Sequence, residues 1–135
     1  MNEIKQNNKT VAVFHKREDW KQGLDFLTPN ETYIQAGTWW YPQGKVLKAH
    51  VHIPNERSVP LTQEVIVILN GRLRVDLYAE NNSIFHQEIL GPGDLAVILE
   101  TGHGYQALEP DTRVIEVKNG PFISVEKDKR LLPVG

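Results

Sequence analysis

Asn70-Gly71 is the pair that most limits what this chain can become. It stands between an almost continuously apolar run, Glu64 to Leu69, and a run in which Leu73, Val75 and Leu77 alternate with Arg72, Arg74, Asp76 and Tyr78. Asn-Gly accepts the positive φ of a tight turn, so it reads as a hairpin loop. The first run has the pattern of a strand covered on both faces. The second has the pattern of a strand with one buried and one wet face.

The same punctuation recurs along the chain. Turn signals fall at Pro42-Gln43-Gly44-Lys45, Asn81-Asn82-Ser83, Gly91-Pro92-Gly93-Asp94, Thr101-Gly102-His103-Gly104 and Asn119-Gly120-Pro121. Between them lie β-forming runs: Tyr33 to Tyr41, Val46 to Ile53, Ile84 to Leu90, Leu95 to Leu99 and Arg113 to Lys118. Short strands at this regular spacing predict an all-β barrel or sandwich. Upstream, residues 1–10 are polar and read as a loose arm, and Val11 to Phe14 as a short strand. Arg17 to Leu27 is the one helix candidate, with Glu18 and Asp19 in its first turn, Trp20, Leu24 and Leu27 on one face, and Pro29 beyond. The organisation expected is an N-terminal arm with a short strand and helix over 1–32, a barrel over 33–120 and a C-terminal tail over 121–135.

Bulk properties exclude several classes. A chain of 135 residues is most simply one domain. A net charge of −2 supplies no basic field for nucleic acid. Cysteine is absent, which removes disulfides, thiolate metal sites and a cysteine nucleophile. The longest apolar run, Val65 to Leu69, falls far short of the roughly 20 residues of a membrane helix, and Met1 to Gln6 lack the apolar core of a signal peptide. The expectation is a cytoplasmic protein that engages neither nucleic acid nor membrane.

The chemistry-bearing feature is His50-Val-His52. Histidines at i and i+2 on a strand point to one side, where both imidazoles can meet one ion or one substrate. Tyr105 shares the parity of His103 and Lys48 that of His50, so Tyr105 is expected in the pocket and Lys48 within reach of an anion. One of Trp39 and Trp40 should point inward. Glu116 and Lys118 read as the solvated face of their strand. His15 and His86 stand in no such constellation and are expected at the surface.

These residues resemble the cupins, a family of small β-barrels of jelly-roll, or double-stranded β-helix, type. The first cupin motif is a glycine, five residues, H-x-H, a short gap, then Glu, six residues and Gly. Gly44, His50-Val-His52, Glu64 and Gly71 supply it here. The second is a Gly-Asp turn, an apolar strand, a Pro/Gly turn and a His, supplied by Gly93-Asp94, Leu95 to Leu99, Gly102 and His103. Eleven residues, 53–63, separate His52 from Glu64 where the family has three or four, so 54–62 reads as an insertion. Glu56 stands at the usual gap, but after six intervening residues comes Gln63 rather than glycine, and no apolar strand begins there. Glu64 is therefore preferred over Glu56. Leu99 replaces the usual proline, and His103 arrives one residue early.

The resemblance implies a divalent transition metal (iron, manganese, nickel, zinc or copper) held by His50, His52, Glu64 and His103. Three imidazoles and a carboxylate suit any of these ions, and octahedral coordination leaves about two positions open. In that reading the protein is a metal-dependent enzyme on a small polar substrate, of oxygenase, isomerase or lyase type, with Tyr105 as acid or hydrogen-bond donor. A metal-free sugar or nucleotide-sugar epimerase would instead pair His50 or His52 with Tyr105 or Tyr41. A third possibility is a non-catalytic barrel that binds a small molecule. Cupin barrels commonly pair, so a homodimer is expected, with the 1–10 arm and the Val11 to Phe14 strand adding to a neighbour's sheet.

Overall fold

Ten strands, all paired antiparallel, build the chain in a computed structural model that describes residues 1–134. They are β1 (Asn2–Gln6), β2 (Lys9–His15), β3 (Gly23–Phe26), β4 (Gly37–Trp40), β5 (Glu64–Asn70), β6 (Leu73–Tyr78), β7 (Ile84–Leu90), β8 (Leu95–Ile98), β9 (Gly102–Ala107) and β10 (Arg113–Lys118). A five-stranded sheet has the order β1-β2-β8-β5-β10. A three-stranded sheet has the order β7-β6-β9, and β3 pairs with β4. One helical turn, α1 (Val125–Asp128), lies in the C-terminal tail. Among the described residues no helix is long and apolar enough to cross a membrane. The all-β expectation holds.

The two larger sheets pack face to face. Ala12 and Phe14 of β2, Ile66 and Ile68 of β5, and Ala96 and Ile98 of β8 meet Leu73, Val75 and Leu77 of β6 and Leu90 of β7 in one buried cluster. The outer face of the large sheet is covered as well: Val13, Leu95 and Val97 pack under Leu27 and Ile34 from the loops around β3 and β4. Two covered faces explain why Glu64 to Leu69 reads as a continuous apolar run.

Asn70-Gly71 turns the chain, but not within a hairpin. β5 pairs with β8 and β10, so both its edges are taken, and β6 crosses to the other sheet. The Asn81-Asn82-Ser83 turn does join hairpin partners, β6 and β7, as Asn7-Asn8 joins β1 to β2. Gly71 has φ +78°, and a Cβ there would stand 2.7 Å from the Cα of Thr112. Gly71→Ala is expected to cost about 2 kcal/mol or more in unfolding free energy, from strain and that clash; a urea midpoint equal to wild type would refute it.

The N-terminal half corrects several expectations. The arm is not loose: β1 pairs with β2 along Asn2 to Gln6 and occupies the sheet edge in its own chain. The helix expected over Arg17 to Leu27 shrinks to a 3-10 turn, Arg17–Asp19. Asp19 accepts from the Lys16 N–H at 2.9 Å and closes that turn, while Gly23 at φ +89° opens β3. Trp39 and Trp40 are both exposed, and the buried residue of β4 is Thr38. Asp76 also departs from its expected wet face. It is buried, accepting two hydrogen bonds from the Arg74 guanidinium at 2.9 Å and one from Gln87 at 2.8 Å.

His15 reverses its expected place: it is fully buried, its ring edge-on to Trp20 at 6.0 Å, with neither ring nitrogen hydrogen-bonded. Desolvation holds its pKa below the ordinary histidine value, against the opposing pull of Asp19 and Asp25. A base depressed in the folded state takes its proton first in the unfolded chain. Stability should therefore fall as pH drops through about 6.5. The expected result is read as a difference: from pH 7.5 to pH 5.5 the urea midpoint should fall further, or rise less, in wild type than in His15→Leu. Equal pH dependence in the two proteins would contradict it.

A further unmet expectation bears on function. Residues 45–60 form neither helix nor strand, so the predicted Val46 to Ile53 strand is absent. A strand needs a neighbour to satisfy its backbone, and no hydrogen bond ties this segment to another element.

Candidate functional site

β5 delivers Glu64 to the interior by simple alternation. Glu64 shares the face of Ile66 and Ile68, two core residues, and is 8% exposed. A carboxylate there carries a desolvation cost that only strong donors can offset. β9 provides them from the opposite sheet. In the β6–β9 register His103 lies opposite Leu77 and Tyr105 opposite Val75, so both side chains take the inward face of their core partners.

The three groups converge on one oxygen. His103 Nε2 lies 2.8 Å from Glu64 Oε1, and the Tyr105 hydroxyl donates to the same oxygen at 2.5 Å. The other ring nitrogen of His103, Nδ1, lies 2.9 Å from the carbonyl oxygen of Thr101. Carboxylate and carbonyl can only accept, so both ring nitrogens carry protons and the ring is an imidazolium. Burial works against that charge, but the Glu64 carboxylate and the Thr101 carbonyl outweigh it and raise the His103 pKa. Burial likewise pushes Glu64 up, yet the donors from His103 and Tyr105 hold it down at about 2. Burial and the adjacent carboxylate lift the Tyr105 phenol well above its ordinary range, so it stays protonated.

Neighbours that the sequence did not single out complete the surroundings. Gln63, buried beside Glu64, accepts from the N–H groups of Tyr33 and Ile34 at 2.8 and 3.0 Å, and its own N–H donates to Asn119 at 2.7 Å. It fixes the approach to β5. Glu116 of β10 adds a second carboxylate close to Glu64 and pairs with Lys118 at 3.0 Å. Both are exposed, but not on the outward, solvated face expected of them. Glu116 pairs in register with Ile66 and so faces the interior. The signal for it was this register, which one strand's sequence cannot supply.

The histidine pair lies elsewhere. His50 and His52 stand on the exposed 45–60 segment with ring centroids 5.2 Å apart. His50 Nδ1 lies 2.9 Å from the Lys48 carbonyl, the same i−2 arrangement as His103 with Thr101. Lys48 and Glu56 are exposed on the same segment. His86, half-buried, bonds Glu88 at 2.8 Å and stacks beside Phe14. Among the described residues no three His, Asp or Glu side chains are set to hold one ion. Glu64 and His103 thus come together with Tyr105, while His50 and His52 do not join them.

Comparison with protein-family models, curated proteins and solved structures finds no match to the chain.

Proposed function

We propose that the chain is a small cupin-type jelly roll that holds one divalent transition metal through His50, His52, Glu64 and His103 and acts on a small polar substrate. The observation that carries this reading is the Glu64–His103 contact between the two sheets. A ligating histidine characteristically anchors one ring N–H on a carbonyl, which orients the ring and leaves the other nitrogen for the ion. His103 and His50 both have that anchor at Nδ1, so Nε2 is the donor atom each would present. His103 Nε2 would take the ion in place of its proton, with Glu64 as the anionic partner.

An ion so held would polarise a carbonyl or lower the pKa of bound water. Tyr105 is protonated at neutral pH and gives its one hydrogen to Glu64; with Glu64 on the ion, that hydrogen would be free to turn toward substrate. A metal-free acid–base site of His103 and Tyr105 is the second reading, favoured by their shared bond to Glu64. It is the weaker one, because both groups are proton donors in this arrangement and no base faces them but a carboxylate held near pKa 2.

The test is metal content. Protein made without a histidine tag, stripped with chelator and reloaded with manganese(II), iron(II) or zinc(II), should retain about one equivalent per chain after gel filtration. His103→Ala should retain none. Wild type without metal, or loading unchanged in His103→Ala, would overturn the proposal. Isomer exchange of a sugar nucleotide by the stripped protein would establish the second reading instead.

A further inference from the structure

Of the sheet edges left unpaired, β9 and β10 are the two that flank the Glu64 site, and the seam is the space between them. β9 pairs only with β6, and β10 only with β5. Both strands turn inward-facing residues toward this seam, and these are not covered: Tyr105 is 39% exposed although it lies in register with Val75, which is fully buried. Residues that face a core yet meet solvent mark a place where a further element belongs.

The 46–53 segment has the pattern of that element. Leu47, Ala49, Val51 and Ile53 alternate with Lys48, His50 and His52, so as a strand it would have one apolar and one polar face. Val51 is 87% exposed and Ile53 78%, so the apolar face is largely uncovered beyond Leu47, which is 43% exposed. Eight residues extended span about 26 Å, enough to follow the six-residue β9 edge from end to end. Charge favours the match. Residues 43–54 contain two lysines and two histidines and no acid, whereas the seam presents Glu64 and Glu116.

A single inserted strand would not finish the surface. The outward side chains of β10, Ile115 and Val117, are also exposed, as are Phe122 and Ile123 just after it. Covering these takes a second body. We infer that this body is a second copy of the chain: two copies exchange their 46–53 segments, so that His50 and His52 of each complete the Glu64–His103 site of the other. The inference rests on the proposed metal centre and says which copy supplies each half. The exchange is isologous, each copy giving and receiving the same element. Gly44, at φ +85°, and Pro54 bracket the exchanged segment.

Complementation tests it. His50→Ala/His52→Ala and Glu64→Gln/His103→Ala chains should each load no metal alone. Unfolded together and refolded, half the dimers are mixed and each mixed dimer regains one of its two sites, so metal content should return to about a quarter of wild type. Wild type should be dimeric by light scattering. Metal loading by wild type with no recovery in the mixture would overturn the exchange and leave the metal centre standing.

A second measurement does not depend on metal. The chain has no cysteine, so Val51→Cys and Gln106→Cys are clean probes of the segment against the outer side of β9. A bis-maleimide reagent should join a Val51→Cys chain to a Gln106→Cys chain of different tag length. Cross-linking confined to a chain that carries both cysteines would show that each chain closes its own seam, whether or not metal binds.

Discussion

In the proposed metal centre, Glu64→Gln is expected to lower metal affinity by about 100-fold or more, a larger loss than the 10–100-fold typical of removing a residue behind a ligand. The substitution keeps the shape of the side chain and removes its charge. His103 then loses the carboxylate that balances its imidazolium, and Tyr105 loses the anionic acceptor at 2.5 Å. Leaving those donors poorly matched in a part-buried site should also cost about 1–3 kcal/mol of unfolding free energy. Isothermal titration with manganese(II) and urea unfolding read the two effects separately. Undiminished affinity in Glu64→Gln would remove this carboxylate from the ligand set and return Glu56, on the exposed segment, as the alternative.

Phe14→Ala is expected to destabilise the fold by about 3–5 kcal/mol. Phe14 is fully buried in the cluster between the sheets and packs on the ring of His86 at 5.5 Å. It reaches that cluster from β2, whose neighbour β8 locks it through the Phe14–Ala96 pair. Truncation would leave a cavity lined by both sheets, and β strands fixed by ladders on each side cannot collapse to fill it. Against a total stability of about 5–15 kcal/mol this loss is severe. The measurement is the urea midpoint at constant m-value; a shift of less than about 1 kcal/mol would mean that the sheets do not meet at Phe14.

Local chemistry made much of the fold legible. Alternation in Leu73, Val75 and Leu77, the covered run after Glu64 and the Gly-Asp turn at Gly93-Asp94 all appear where the residues pointed. The Asp94 carboxylate closes that turn by accepting from the Gly91 N–H at 2.8 Å. Where the reading failed, a distant partner decided. Arg17 to Leu27 carries a helical face, but Leu24 finds Trp39 as a cross-strand neighbour and Leu27 finds the outer face of the large sheet. His15 has the look of a surface histidine, yet β2 lies in the middle of a sheet covered on both sides.

The site divides along the same line. By parity alone, Glu64 belongs with Ile66 and Ile68, and Tyr105 with His103, because side-chain direction along a strand repeats every two residues and needs no knowledge of the neighbour. The all-β class likewise followed from turn residues and alternation. Only the tertiary structure could decide that the strands flanking Asn70-Gly71 enter different sheets and that Glu64 and His103 meet across the gap between them. It also decided that His50-Val-His52, for all its strand pattern, stays unpaired in its own chain. Strand pairing is a contract between segments far apart in sequence: alternation declares which face a strand would bury, but a second backbone must supply the hydrogen bonds before the strand exists.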